Sequence, residues 1–174
     1  MALTSVQQAA LVALRALIGW HFLYEGYFKL LRPAWSRAGT PLGSWSSAGY
    51  LKAASGPFAG LFQALGESSW LGAIDTAVSA GLVLVGLSLL LGLFTQAGCV
   101  GALLLHAMFY LSAIPSSGLH LPGNEGAYLF VNKNLVEACG AFVVLVFDTG
   151  RIAGLDLLRF RPRTDATRVE EAAA

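Results

Sequence analysis

Four apolar stretches recur along the chain, over residues 10–31, 70–94, 97–113 and 127–147. Each approaches the length of a helix crossing a hydrocarbon core of about 30 Å, which takes roughly 17 to 25 residues. The pattern predicts an all-α fold: an integral membrane four-helix bundle forming a single domain over residues 1–174, with a polar tail at 150–174. Only a Thr95-Gln96 turn separates the second and third spans, which makes them antiparallel neighbours. The first span reads as a retained helix rather than a leader. Residues 1–9 carry no Lys or Arg, Arg15 interrupts the apolar run, and His21, Glu25 and Lys29 follow.

The loop over 32–69 does not have the composition of a flexible linker. Trp35, Trp45, Tyr50, Phe58 and Phe62 sit among its glycines and prolines, which predicts an aromatic segment lying on the membrane between the first two helices. Within it, Phe58, Leu61, Phe62 and Leu65 follow helical spacing after Ser55-Gly56-Pro57. A short interfacial helix is expected, with Pro57 in its first turn and Gly66 at its stop.

Composition narrows the setting. Of 174 residues, 56% are hydrophobic and 12% charged, with mean hydropathy +0.64, whereas soluble domains carry about 25% charged residues. The solvent this implies is a lipid bilayer. A net charge of +1 provides no basic field for nucleic acid. Cys99 and Cys139, with no C-x-x-C motif, exclude a disulfide framework and a four-cysteine zinc site, and both are expected as packing residues. The tail holds Arg151, Arg159, Arg161, Arg163 and Arg168, against Arg32, Arg37 and Lys52 in the first loop. The positive-inside rule then places both termini in the cytoplasm, with the bundle in the cell membrane.

The polar residues inside the spans carry the functional information, because each costs a few kcal/mol to insert and usually faces the bundle interior. They are Arg15, Glu25, Lys29, Asp75, His106, Lys133 and Glu137, with His21, Asn132 and Asn134 as neutral companions; the formal charges cancel at three of each sign. His21, Glu25, Lys29 and Arg15 share one face of the first helix, while Asn134 and Glu137 share one face of the fourth, with Lys133 on its border. By depth, Glu25, Lys29, Asp75, Lys133, Asn134 and Glu137 fall in the half nearer the larger loops, and His21 and His106 near the middle. Arg15 lies toward the termini, where its head is expected to snorkel to the interface. A polar chamber in one half of the bundle follows. Two readings of it stand side by side: a site for a ligand, a quinone or a partner's segment, and charge pairs that only fix helix register.

The run Gly19-Trp20-His21-Phe22-Leu23-Tyr24-Glu25-Gly26-Tyr27-Phe28-Lys29-Leu30, then Pro33-Ala34-Trp35-Ser36, Gly49-Tyr50-Leu51, Gly56-Pro57-Phe58, Gly92-Leu93-Phe94-Thr95 and Val131-Asn132-Lys133-Asn134-Leu135-Val136-Glu137 resembles the DoxX/DoxD family of small membrane proteins. The likeness runs from about Leu14 to Leu158. It implies a four-helix membrane bundle. Its DoxD branch is the membrane subunit of a thiosulfate:quinone oxidoreductase, working with a DoxA partner. By that resemblance the chain is expected to serve as a membrane subunit of a quinone-linked oxidoreductase that needs a soluble or membrane redox partner.

A quinone site needs an apolar groove with donors and proton carriers near two ring oxygens. Glu25, Lys29, Lys133 and Glu137 are candidates for a proton relay, and His21, His106, Asn134 and Asp75 for quinone contacts. Trp20, Tyr24, Phe28 and Tyr110 are candidate ring neighbours or packing and interface anchors. Other readings stay open. They include a non-catalytic anchor or assembly subunit, a haem held by His21 and His106, a metal at His21 and Glu25, and a small-molecule transporter, for which four helices without an inverted repeat are poorly suited. The small-residue face Gly81, Val85 and Ser88, with Gly92 beyond it, allows close helix contact within the bundle or between copies in a homo-oligomer.

Overall fold

A computed structural model describes residues 3–31, 45–114, 127–128 and 130–159. Trp35, Arg32, Arg37 and the tail arginines Arg161, Arg163 and Arg168 lie outside the described residues. The fold is mostly helical, and three of the described helices are long and apolar enough to cross a membrane.

Helix α1, Ser5–Leu31, starts five residues before the expected span. Its start is a reciprocal cap: the Thr4 amide donates to Gln7 Oε1 (2.8 Å) and the Gln7 amide to Thr4 Oγ1 (3.3 Å). Thr4-Ser5-Val6-Gln7 is a legible capping box that hydropathy alone passes over.

Helices α2, Ala48–Lys52, and α3, Ala59–Gly66, follow. Helix α3 begins two residues after Pro57, because Gly56 takes a left-handed φ of 85° and turns the chain first. Phe62 is buried with Leu51 and Ala54 against Leu65, Leu71 and Met108. Phe58 and Leu61 stay exposed. Helix α4, Leu71–Leu91, ends at Gly92 in the left-handed region, and α5, Thr95–Ser112, begins immediately after Phe94. The turn thus falls at Gly92–Phe94 rather than at Thr95-Gln96. The left-handed glycine stops the helix, and the Leu93 amide closes it on the Ser88 carbonyl at 3.0 Å.

The segment with α2 and α3 is tied to the Ser112 end of α5 and the Leu71 end of α4. The Ser55 amide donates to Ser112 O (3.1 Å), Tyr50 Oη to Phe109 O (3.2 Å), and Ser112 Oγ to Tyr50 Oη (2.9 Å).

The last stretch departs most from expectation. Instead of one span over 127–147, Ala127–Tyr128 pairs antiparallel with Val131–Asn132, and helix α6 covers Lys133–Val146. Asn132 stops the helix from extending backward. Its backbone is extended, and its side chain accepts from the Leu135 amide at 3.1 Å. Helix α6 rises about 21 Å at 1.5 Å per residue, short of the hydrocarbon thickness.

Helix α1 packs on α4, α4 on α5, α5 on α6, and α6 returns to α1. Ile18, Phe22, Leu82, Val85, Leu89, Cys99, Ala102, Ala141 and Val144 form the core between them. Outward, Leu17, Leu84, Leu104, Val136 and Val146 are each more than half exposed. That apolar exterior, with three helices of spanning length, points to a lipid bilayer as the environment. Cys139 is exposed rather than packed inside, while Cys99 is fully buried.

Arg15 does not extend to an interface. It is 3% exposed, with Nη1 donating to Thr149 O (2.8 Å) and Nη2 to Ala153 O (2.6 Å). These carbonyls belong to the 3-10 turn Thr149–Arg151 and the residues leading to helix α7, Asp156–Arg159. Asp156 in turn accepts from the Phe94 and Thr95 amides at 2.8 and 2.9 Å. The chain after α6 therefore folds back over the α4–α5 turn.

Candidate functional site

His21, Glu25 and Lys29 recur at one-turn intervals on α1 and build one wall of a polar cluster. Glu25 and Lys29 form an ion pair with each other, in the order favoured along a helix. Lys29 Nζ also lies 5.5 Å from the centre of the Trp45 ring, a cation–π contact that brings one aromatic residue of the first loop over the chamber.

His21 reaches across to α6, its Nδ1 lying 2.8 Å from Glu137 Oε2. His106, on α5, turns Nε2 toward the same carboxylate oxygen at 3.5 Å. Three helices therefore converge on one oxygen atom. Sequence spacing pairs Glu25 with Lys29 but does not indicate which residue across the bundle His21 meets.

The cluster is graded in exposure. His106 is 3% exposed, Glu137 26% and His21 35%. The His106 ring stands edge-on to Phe22, with ring centres 4.9 Å apart, and neither of its nitrogens has a partner in hydrogen-bond geometry. Buried polar atoms without partners are uncommon and mark strained, catalytic or ligand-binding positions. Asn134 lies beside the His106 ring, and the Lys133 ammonium is within electrostatic range of His21, Glu25 and His106.

Seven of the eight candidate residues thus gather where α1, α5 and α6 meet. Asp75 is engaged elsewhere. Its Oδ1 accepts from the Ser47 amide at 2.8 Å and from the Ser47 hydroxyl at 2.5 Å, clamping the segment before α2 to the start of α4. Asp75→Ala is expected to cost about 1–2 kcal/mol by stranding the buried Ser47. A lowered thermal midpoint, with the histidine ring signals unchanged in NMR spectra, is the outcome that checks it.

The aromatic candidates divide. Trp20 and Tyr24 are more than half exposed and stack outward, with Tyr24 4.5 Å from Phe28 between ring centres. Tyr110 donates to Phe130 O at 2.8 Å. Phe22, which was not among the aromatic candidates, is the ring that touches His106. Its signal was present, since it adjoins His21 on α1, but its facing partner came from α5.

The small-residue face of α4 also resolves. A Cβ on Gly101 would lie 2.9 Å from Val85 Cγ2, and one on Gly81 3.9 Å from Leu105 Cδ1. Both contacts lie inside one chain, between α4 and α5.

Among the described residues, no group of three or more His, Cys, Asp or Glu has the geometry to hold a metal ion. The two histidines converge on the Glu137 carboxylate, where a haem would need them facing its iron. The chain matches no protein-family model, no curated protein and no solved structure.

Proposed function

We propose that this chain is a DoxX/DoxD-like membrane protein, a four-helix bundle with cytoplasmic termini in the cell membrane and a first loop lying on its outer interface. In this reading it is the membrane subunit of a quinone-linked oxidoreductase, with thiosulfate a candidate electron source supplied through a partner subunit. The observation that carries the proposal is the buried His106, edge-on to Phe22, with Nε2 turned toward Glu137 at 3.5 Å and neither ring nitrogen in hydrogen-bond geometry.

In this reading the cluster around His106 holds a quinone. An imidazole nitrogen in an apolar, water-poor setting is a donor for a ring carbonyl oxygen, and Phe22 supplies an aromatic surface. A bound quinone would accept two electrons and two protons from the aqueous phase and the partner. The protein's part is to hold and deliver protons: His106 at the buried end, Glu137 and His21 nearer the exterior, and Lys133 and Lys29 balancing the carboxylates. A positioned acid or base contributes about 10²–10⁴-fold to a proton-transfer rate.

The test is purification from the native membrane in mild detergent with its neighbours, followed by quinone extraction and thiosulfate-dependent quinone reduction. His106→Asn and Glu137→Gln are expected to lower the reduction rate at least about tenfold while the partner complex still forms. Absence of extracted quinone together with unchanged reduction in both variants would overturn the reading.

Glu25–Lys29 and Asp75–Ser47 are charges already satisfied by neighbours, which favours a second reading, an anchoring or assembly subunit. It predicts that the same two variants lower the yield of the partner complex instead of its rate.

A further inference from the structure

One carboxylate oxygen facing two imidazoles is an arrangement with its own consequence. Glu137 Oε2 stands 2.8 Å from His21 Nδ1, in a formed hydrogen bond, and 3.5 Å from His106 Nε2, outside hydrogen-bond geometry. Normal N–H···O bonds to carboxylates lie at about 2.7–2.9 Å. The link is therefore closed on the exposed side and open by well under one ångström on the buried side. A small rotation of Glu137 or His106 joins it.

The surroundings are charge-balanced. Around the two rings, α1 contributes Glu25 and Lys29, paired with each other, and α6 contributes Lys133 and Glu137. Helix α4 packs on α1, but its Asp75 is held by Ser47. One proton moving among His106, Glu137 and His21 changes no net charge within the cluster.

We infer that Glu137 is a proton bridge between His106 and His21, a positioning and relay residue that couples the buried imidazole to the exposed one. The step balances simply. The Nδ1–H bond of a His21 imidazolium, already directed at Glu137, breaks as an O–H bond forms at Glu137 Oε2; that bond breaks in turn as His106 Nε2 gains the proton. His21 is left neutral with its proton on Nε2, Glu137 returns to carboxylate, and His106 carries the charge at the buried end. This rests on reading the cluster as a proton-handling site, and it assigns direction and order to it.

The experiment uses full-length protein labelled with ¹⁵N-histidine in lipid nanodiscs. The chain has three histidines, so the ring signals of His21, His106 and His120 are separable by substitution. In wild-type protein the titrations of His21 and His106 are expected to depend on each other, with His106→Asn or His21→Asn displacing the remaining partner's curve by about one pH unit. Glu137→Gln should abolish that dependence, and Glu137→Asp should retain part of it. A merely electrostatic neighbour would leave the dependence in place in Glu137→Gln, and that result overturns the bridge. Superimposable His21 curves with and without His106 overturn it as well. If His106→Asn does not fold, the His21→Asn and Glu137→Gln pair gives the same decision. Loss of quinone reduction with the coupling intact would count against the quinone reading and leave the bridge standing; normal reduction with uncoupled histidines would do the reverse.

Discussion

Gly86→Leu is expected to abolish accumulation of folded protein, and Gly86→Ala to lower its thermal midpoint by roughly 10 °C, equivalent to about 3 kcal/mol for a chain of this size. Helices α1 and α4 run antiparallel in backbone contact. A Cβ on Gly86 would lie 2.6 Å from Leu23 Cα, one on Gly26 2.7 Å from the Val83 amide nitrogen, and one on Gly19 2.8 Å from that of Leu90. Backbone atoms cannot swing aside as a side-chain terminus can, so the helices must separate. In lipid, where tails solvate apolar side chains as well as a neighbouring helix does, close van der Waals packing is a main source of helix association. Widening this seam removes it along the longest interface in the fold. Gly72→Ala is the control. It lies on the same helix with open space where its Cβ would stand, and it should be neutral or stabilise by a few tenths of a kcal/mol. Differential scanning fluorimetry in detergent compares the three variants. Equal midpoints for Gly86→Ala and Gly72→Ala would show that the seam does not carry the fold.

That seam also marks where sequence reading ended. Apolar runs located the membrane helices because lipid imposes length and composition directly. They could not rank the glycines. Gly81, on the small-residue face, is directed at α5, where a Cβ would make an ordinary contact with Leu105, whereas Gly86 bears on a backbone; the difference depends on which face of α4 meets α1. Helix ends were misplaced where hydropathy alone set them: the first span began five residues late because the Thr4 and Gln7 cap was passed over, and the α4–α5 turn was put at Thr95-Gln96 rather than at Gly92. The last span was misplaced too, because the cap at Asn132 outweighs the hydropathy of the preceding residues. The polar cluster was legible as an inventory, since ionisable residues inside spans are rare. Its geometry was not, because His21, His106 and Glu137 are brought together by three helices distant in sequence. Asp75 shows the cost of reading depth alone: the right level in the membrane does not place a side chain on the right face.

Arg15→Met is expected to destabilise the protein by about 3–5 kcal/mol, the range found when one partner of a buried charged network is removed. In water-poor surroundings, the Thr149 and Ala153 carbonyls would lose their donors, and the buried Asp156 would lose a nearby positive charge. Arg15→Lys should recover only part of the loss, since one ammonium lacks the planar fork that reaches both carbonyls. Asp156→Asn, which retains a single side-chain oxygen for the Phe94 and Thr95 amides, should cost about 1–2 kcal/mol. The decisive variant is the double one. If Arg15 and Asp156 act as one clasp holding the chain after α6 across the α4–α5 turn, Arg15→Met with Asp156→Asn should lose less than the sum of the two single losses, by about 0.5–3 kcal/mol. Additive losses would mean that Arg15 supports the carbonyls and Asp156 the turn independently. Proteolysis provides a second reading of the same contacts. Cleavage near Arg151 should accelerate in Arg15→Met while the polar cluster at the other end, and the histidine signals that report it, stay unchanged. If those signals move as well, the two ends of the bundle share a single cooperative unit, and Arg15 contributes to the geometry at Glu137 from a distance.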